Sequence, residues 1–201
     1  MSSLGTIPCM KDGRKLVLNA DQLRKGSTLL KLRGVKKNQI YIVLDNVLDT
    51  YNIGSIFRLA DAVACKKIYL CGGTETPPNH RIKKASINTT EVVDWEYCET
   101  AKEAIANLTS EVKKMQLHLG GERPLQVVAV EQADESIPYD KFEYKMPICL
   151  VVGHESDGVS KEVLDICDAI VELPMFGINK SLNVVVSLGI VLYQVIEKTQ
   201  A

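Results

Sequence analysis

The chain has 201 residues, the size of one compact domain with short additions, and two full domains would be cramped in it. Hydrophobic residues at 46% and charged residues at 24% supply a sizeable core and exclude wholesale disorder. Twenty-four Lys and Arg against 25 Asp and Glu leave a net charge of −1, so a nucleic-acid partner would need a local basic patch rather than global charge.

The opening MSSLGTIPCMKDGRK lacks the continuous apolar centre of a signal peptide, and no run in the chain approaches the roughly 18 apolar residues of a membrane span. The expectation is a cytoplasmic protein with no membrane partner. Residues 1–38 turn basic toward their end (Arg24, Lys25, Lys31, Arg33, Lys36, Lys37), with a short helical pattern around Asp21 to Leu32. They read as an N-terminal extension to a domain spanning residues 39–201.

From Gln39 the pattern changes. The apolar run Ile40 to Leu44 predicts a strand, and Ile53, Ile56, Phe57, Ala60 and Ala64 follow at helical spacing. Further apolar runs at Lys67 to Leu70, Leu125 to Val130, Ile148 to Val152 and Ala169 to Leu173 alternate with helical patterns. The clearest of these helices carries Ala101, Ala104, Ile105, Leu108, Val112, Met115 and Leu119. Unbroken apolar strands between helices predict an α/β fold with a mostly parallel sheet covered on both faces. The last segment, Ser181 to Lys198, is apolar nearly all round and too long for a strand. It predicts a helix capped by Ser181 and buried on more than one side, in the core or against a second subunit.

The six cysteines (Cys9, Cys65, Cys71, Cys98, Cys149, Cys167) form no CxxC pair and have no His at zinc-ligand spacing. They read as buried thiols in a reducing compartment, and a nucleophilic Cys149 would need a base that the sequence does not identify.

Three loops at the carboxyl ends of predicted strands carry polar residues that a core does not need, on the edge where open α/β sheets bind ligands. In the first, Asn52-Ile53-Gly54-Ser55-Ile56-Phe57-Arg58 opens a helix, where Asn52 can cap and free N–H groups can hold an anion. In the second, Gly153-His154-Glu155-Ser156-Asp157-Gly158 leads to Ser160, a candidate helix cap. In the third, Glu172-Leu173-Pro174-Met175-Phe176-Gly177 runs through Lys180-Ser181-Leu182-Asn183 into the terminal helix. An amide such as Asn183 at the start of so apolar a helix either satisfies backbone groups or faces a site.

In order and spacing these segments resemble the three motifs of the SpoU branch of the SPOUT superfamily, the tRNA/rRNA 2'-O-ribose methyltransferases. The matching residues are Asn52, Gly54 and Arg58; Gly153, Glu155 and Gly158; and Pro174, Met175, Gly177, Ser181, Leu182 and Asn183, within a match covering about Gln39 to Lys198. The resemblance implies a SPOUT-type fold with a C-terminal trefoil knot, an S-adenosylmethionine pocket, no metal, and a homodimer with a composite active site. By the same resemblance Asn52, Arg58, Glu155, Ser181 and Asn183 are the catalytic candidates, and Val130, Gly153, Leu173, Met175, Gly177 and Leu182 bind the cofactor.

An arginine, with a pKa above about 12, is a poor general base. Arg58 is therefore expected to bind the phosphate and orient the ribose hydroxyl, with Glu155 holding Arg58 and the two Asn amides fixing geometry. Arg58, Arg81, Lys83, Lys84 and Lys180 form the candidate RNA surface, and tRNA is favoured over rRNA. A non-catalytic RNA-binding member of the fold would be marked by loss of Arg58, Glu155 or Asn183, all present. The Ser-Leu-Asn form of the third motif speaks against a base methyltransferase. A flavodoxin-like nucleotide site would need a phosphate loop where Asp45 to Asp49 is acidic and glycine-free.

Overall fold

The apolar runs form a single sheet whose two faces are separately covered. The computed structural model describes residues 36–119 and 123–200; the helical pattern around Asp21 to Leu32 and most of the basic N-terminal extension lie outside them. In chain order the elements are β1 (Ile40–Asp45), α1 (Thr50–Ala62), β2 (Lys67–Cys71), α2 (His80–Ser86), a 3₁₀ turn (Thr89–Glu91), β3 (Trp95–Cys98) and α3 (Ala101–Leu119). They continue with β4 (Gln126–Val130), β5 (Ile137–Pro138), β6 (Ile148–Gly153), α4 (Lys161–Leu164), β7 (Ala169–Glu172) and α5 (Val184–Gln200).

The sheet has seven strands in the order β3-β2-β1-β6-β4-β7-β5, and every pair is parallel. Alternation along each strand sorts the core into two layers. Ile40, Ile42 and Leu44 of β1, Ile148, Leu150 and Val152 of β6 and Val128 of β4 pack under α1, α2 and α5 through Ile53, Ile56, Phe57, Ile82, Leu188 and Val191. Tyr41, Val43, Cys149, Val151 and Ala129 face the other way, beneath Ala104, Ile105 and Leu108 of α3 and Val163 of α4. Strands buried on both faces read as continuous apolar text, which is why the runs were legible.

Two strands escape that signal. In β3, Glu96 and Tyr97 are exposed at the sheet edge, and β5 is two residues long and ends on Pro138. The terminal helix begins at Val184 rather than Ser181. Its cap is Asn183, whose Oδ1 accepts from the Val185 N–H at 2.9 Å and whose carbonyl accepts from the Ser187 N–H. Its inner side, Leu188, Val191, Leu192 and Val195, is fully buried, while Val186 and Tyr193 are exposed. Ala64 lies beyond the end of α1 with φ of 49°. Cys65, Cys71, Cys98 and Cys149 are buried free thiols and Cys167 is half-buried; burial pushes the Cys149 thiol well above its ordinary value, so it is no nucleophile. Cys9 lies outside the described residues. No helix among those residues is long and apolar enough to cross a membrane.

Gly54, a motif position, is explained by packing. A Cβ there would sit 2.6 Å from the Ala85 Cβ and 2.7 Å from the Ile82 carbonyl oxygen, so its bare Cα lets α2 press against α1. Gly54→Ala is expected to cost about 1–3 kcal/mol of stability through overpacking, measured by chemical denaturation. Gly189→Ala in α5 is the control: its Cβ would meet only Leu59 methyls at 3.5 Å, ordinary contact, and the better helix propensity of Ala should leave it neutral or slightly stabilised.

Candidate active site

Strands β1 and β6 are neighbours with Asp45 in register with Gly153, so the loops that leave them start side by side. The Glu155 carboxylate joins them. Its Oε1 accepts from the Asp49 N–H at 3.0 Å and from Asn52 Nδ2 at 2.9 Å, and its Oε2 accepts from the Leu48 N–H at 3.1 Å. Asn52 Oδ1 in turn accepts from Asn183 Nδ2 at 3.1 Å. Three loops are thereby tied in one chain, Glu155 to Asn52 to Asn183 to the first turn of α5.

This geometry changes several sequence expectations. Asn52 does not cap α1; Asp49 does, its side chain accepting from the Tyr51 N–H, and Asn52 is a buried residue of the first turn. The N–H groups before α1 do hold an anion, but it is the protein's own Glu155. Glu155 therefore does not hold Arg58, which is exposed on α1 and makes no hydrogen bond or ion pair among the described residues. Ser160 occupies the cap position of α4 without a side-chain cap bond, and its N–H donates to the buried Asp45 Oδ2 at 2.9 Å.

Behind this network lies a cavity of about 370 Å³, within the ordinary range for small-ligand sites. Val130, Gly153, Leu173, Met175 and Leu182, five of the six cofactor candidates, line it, as do Glu155, Ser181 and Asn183. Gly177 does not: it is exposed, and a Cβ added there would meet nothing within 4 Å. The glycines of the second loop are structurally required. A Cβ on Gly153 would lie 2.1 Å from the Gly158 carbonyl oxygen, and Gly158 has φ of +72° with Glu131 Oε2 only 2.2 Å from its would-be Cβ. The loop folds back through paired bonds between His154 and Gly158. Glu131, which sequence reasoning missed, secures it by accepting from the Val159 N–H at 2.9 Å. Glu172, which opens the third loop but has no role assigned to it from the sequence, lines the same cavity. The available signal was an acid placed directly after, or at the end of, an apolar strand.

The cationic candidates lie elsewhere. Arg81, Lys83 and Lys84 are exposed on α2 and Lys180 is exposed in the third loop. Ile82, between them, is fully buried, fixing α2 on the helix that carries Arg58.

The sequence pattern described as the SpoU rRNA Methylase family matches residues 39–193. A tRNA (guanosine(18)-2'-O)-methyltransferase of Aquifex aeolicus is 33% identical over 172 residues, covering 83% of this chain and 74% of that protein. A 23S rRNA (guanosine-2'-O-)-methyltransferase of Ralstonia nicotianae is 27% identical over 183 residues, covering 91% of this chain and 65% of that protein. The crystal structure of an AdoMet-bound rRNA methyltransferase from Sinorhizobium meliloti superposes with a TM-score of 0.65 at 27% identity, covering 83% of this chain and 59% of that one.

Burial alone would raise the pKa of Glu155, but the bonds from Asn52 and from the Leu48 and Asp49 N–H groups outweigh it and hold the carboxyl below its ordinary value. A depressed folded-state pKa contributes stability that is present above the unfolded value, about 4.3, and is lost as pH falls through the folded one. Glu155→Gln, which turns an amide toward three donors, should lower the unfolding midpoint near neutral pH, with the gap to wild type narrowing below about pH 4.3. A gap that stays constant across an acid titration of thermal unfolding would show that the carboxylate charge is not what binds the loops.

Proposed function

The chain belongs to the SpoU rRNA methylase family, and on that premise we propose that it is an RNA 2'-O-ribose methyltransferase using S-adenosylmethionine. The observation that carries the reading is the meeting of the three motif loops around one cavity through Glu155, Asn52 and Asn183. The relatives compared are enzymes of tRNA and of rRNA. We favour tRNA, the substrate named for the relative at 33% identity.

The cofactor, when bound, supplies an electrophilic methyl on a sulfonium, a leaving group that needs no Lewis acid. The cavity fits it: Val130, Val152 and Leu173 offer apolar walls for a purine, with Gly153 and Leu182 lining the same space. Asn52, bonded on both sides of its amide, fixes the first loop against the third, and Asn183 and Ser181 stand between the cavity and the surface. Arg58, unpaired among the described residues, binds the phosphate next to the target nucleotide and orients the ribose hydroxyl for in-line attack. Catalysis in this scheme is positioning more than proton transfer. Arg81, Lys83, Lys84 and Lys180 extend the phosphate surface.

The working unit in this proposal is a homodimer with the family's C-terminal knot. Its support is the apolar side chains that one chain leaves open: Phe176 is 96% exposed, and Ile178, Tyr51, Val186 and Tyr193 are also exposed. A cytoplasmic location accords with the unpaired thiols.

Three measurements check the proposal. Calorimetry in excess chelator should detect S-adenosylmethionine binding; no binding of it or of its demethylated product would remove the enzyme reading. Sedimentation should give about twice the 22.2 kDa chain mass, and a folded, active monomer would contradict the dimer. Arg58→Ala should lower methyl transfer to RNA by about two or more orders of magnitude with cofactor affinity nearly unchanged, and Arg58→Lys should restore little, because a point ammonium cannot replace a planar fork. If Lys restores most activity, simple charge suffices; if Ala abolishes cofactor binding, Arg58 belongs to the cofactor pocket.

A further inference from the structure

The cavity has a one-sided charge. Glu131 after β4, Glu155 in the loop after β6 and Glu172 at the end of β7 all line it, and no Lys or Arg among the described residues does. None of the three forms an ion pair among the described residues. They differ in how their charge is answered. Glu155 is held by three donors, two of them backbone N–H groups. Glu131 accepts one backbone N–H on each oxygen, from Gln132 and Val159, both at 2.9 Å. The Glu172 side chain makes no hydrogen bond among the described residues. Amide dipoles steady a carboxylate, but they do not cancel its field across a cavity, and low-dielectric walls focus that field on whatever enters.

We propose that Glu131 and Glu172 make this pocket a reader of ligand charge, holding the sulfonium cofactor in preference to its neutral thioether product. The inference rests on the reading of the cavity as the cofactor site. S-adenosylmethionine carries a sulfonium and an ammonium against one carboxylate, a net positive charge. In the transfer the ribose oxygen forms a bond to the methyl carbon, the sulfur keeps the electron pair of the broken bond, and the hydroxyl proton is lost to solvent. S-adenosylhomocysteine is left with its charges balanced. The pocket's attraction therefore falls at the moment the product forms, with no movement of the protein required, and the neutral product is released while the charged cofactor is drawn in to replace it.

Glu131 also has a mechanical role, since its Oε2 supports the Gly158–Val159 turn, and a purely mechanical residue would affect both ligands alike. The ratio of affinities separates the two. Dissociation constants are to be measured by calorimetry for S-adenosylmethionine, S-adenosylhomocysteine and sinefungin, which carries an ammonium where the cofactor carries its sulfonium, on wild type, Glu131→Gln and Glu172→Gln. Wild type is expected to hold both cations more tightly than the thioether. Each Gln variant should lower that preference about three- to tenfold, chiefly by weakening the cations. Glu172→Gln gives up no side-chain hydrogen bond to a described residue and so should remain folded whatever happens at Glu131. Equal weakening of all three ligands, or a preference unchanged in Glu172→Gln, would overturn the charge assignment while leaving the cofactor reading intact. Wild type that binds none of the three would overturn the cofactor reading, and the charge assignment with it.

Discussion

A helix that starts at the edge of a sheet leaves N–H groups that must find acceptors, and here the acceptor is supplied from more than a hundred residues away. Leu48 and Asp49 donate to Glu155 across separations of 107 and 106 residues. A contact at such distance is affordable only because the sheet has already brought the ends together. Strand β6 inserts beside β1, with Asp45 level with Gly153, and closure of a long loop by that pairing removes most of the entropic cost before the carboxylate forms its bonds. The site is therefore a consequence of strand order. Were β6 placed elsewhere in the sheet, Glu155 would point into solvent and the N–H groups ahead of α1 would be open to any anion.

The glycines belong to the same constraint. Glu155 reaches its donors because the loop carrying it turns back within a few residues, and that turn requires Gly153 to lie against the Gly158 backbone and Gly158 to adopt a positive φ beside Glu131. The Gly-x-Glu-x-x-Gly spacing thus has a mechanical meaning: two positions without a side chain flank the one whose side chain binds. Gly54 follows the same logic between helices, since it sets how closely α2, with its exposed cations, approaches the helix bearing Arg58.

How far this was legible in the sequence depends on whether a residue's environment is set locally. The strands of the parallel sheet and the amphipathic α3 were readable because burial on two faces, or on one stripe, writes itself into a run of side chains. The three loops were readable as clusters of residues the core does not need. Partners were not. Asn52 looks like a cap because Asn before an apolar helix usually is one, yet Asp49 takes the cap and frees Asn52 to bridge Glu155 and Asn183. Ser181 loses its expected cap to Asn183 for a similar reason. Glu155 and Arg58 suggest an ion pair by charge alone, but the carboxylate is claimed by donors whose proximity only the fold creates. The edge strand β3 and the two-residue β5 carry too little pattern to be distinguished from loop.

A net charge of −1 conceals a division of charge within the fold. The carboxylates Glu131, Glu155 and Glu172 turn inward onto the cavity, while Arg58, Arg81, Lys83, Lys84 and Lys180 stand exposed. An enzyme that must hold a cationic cofactor and a polyanionic substrate at adjoining points needs such a separation, because a uniformly basic surface would repel the first and a uniformly acidic one the second. Screening sharpens the distinction: the exposed cations weaken within a Debye length of about 8 Å in physiological salt, whereas charges in a recess are screened much less. The two binding events in the proposed function are thereby placed under different controls. RNA association is tuned by ionic strength, and cofactor exchange is tuned by the charge that the reaction itself removes.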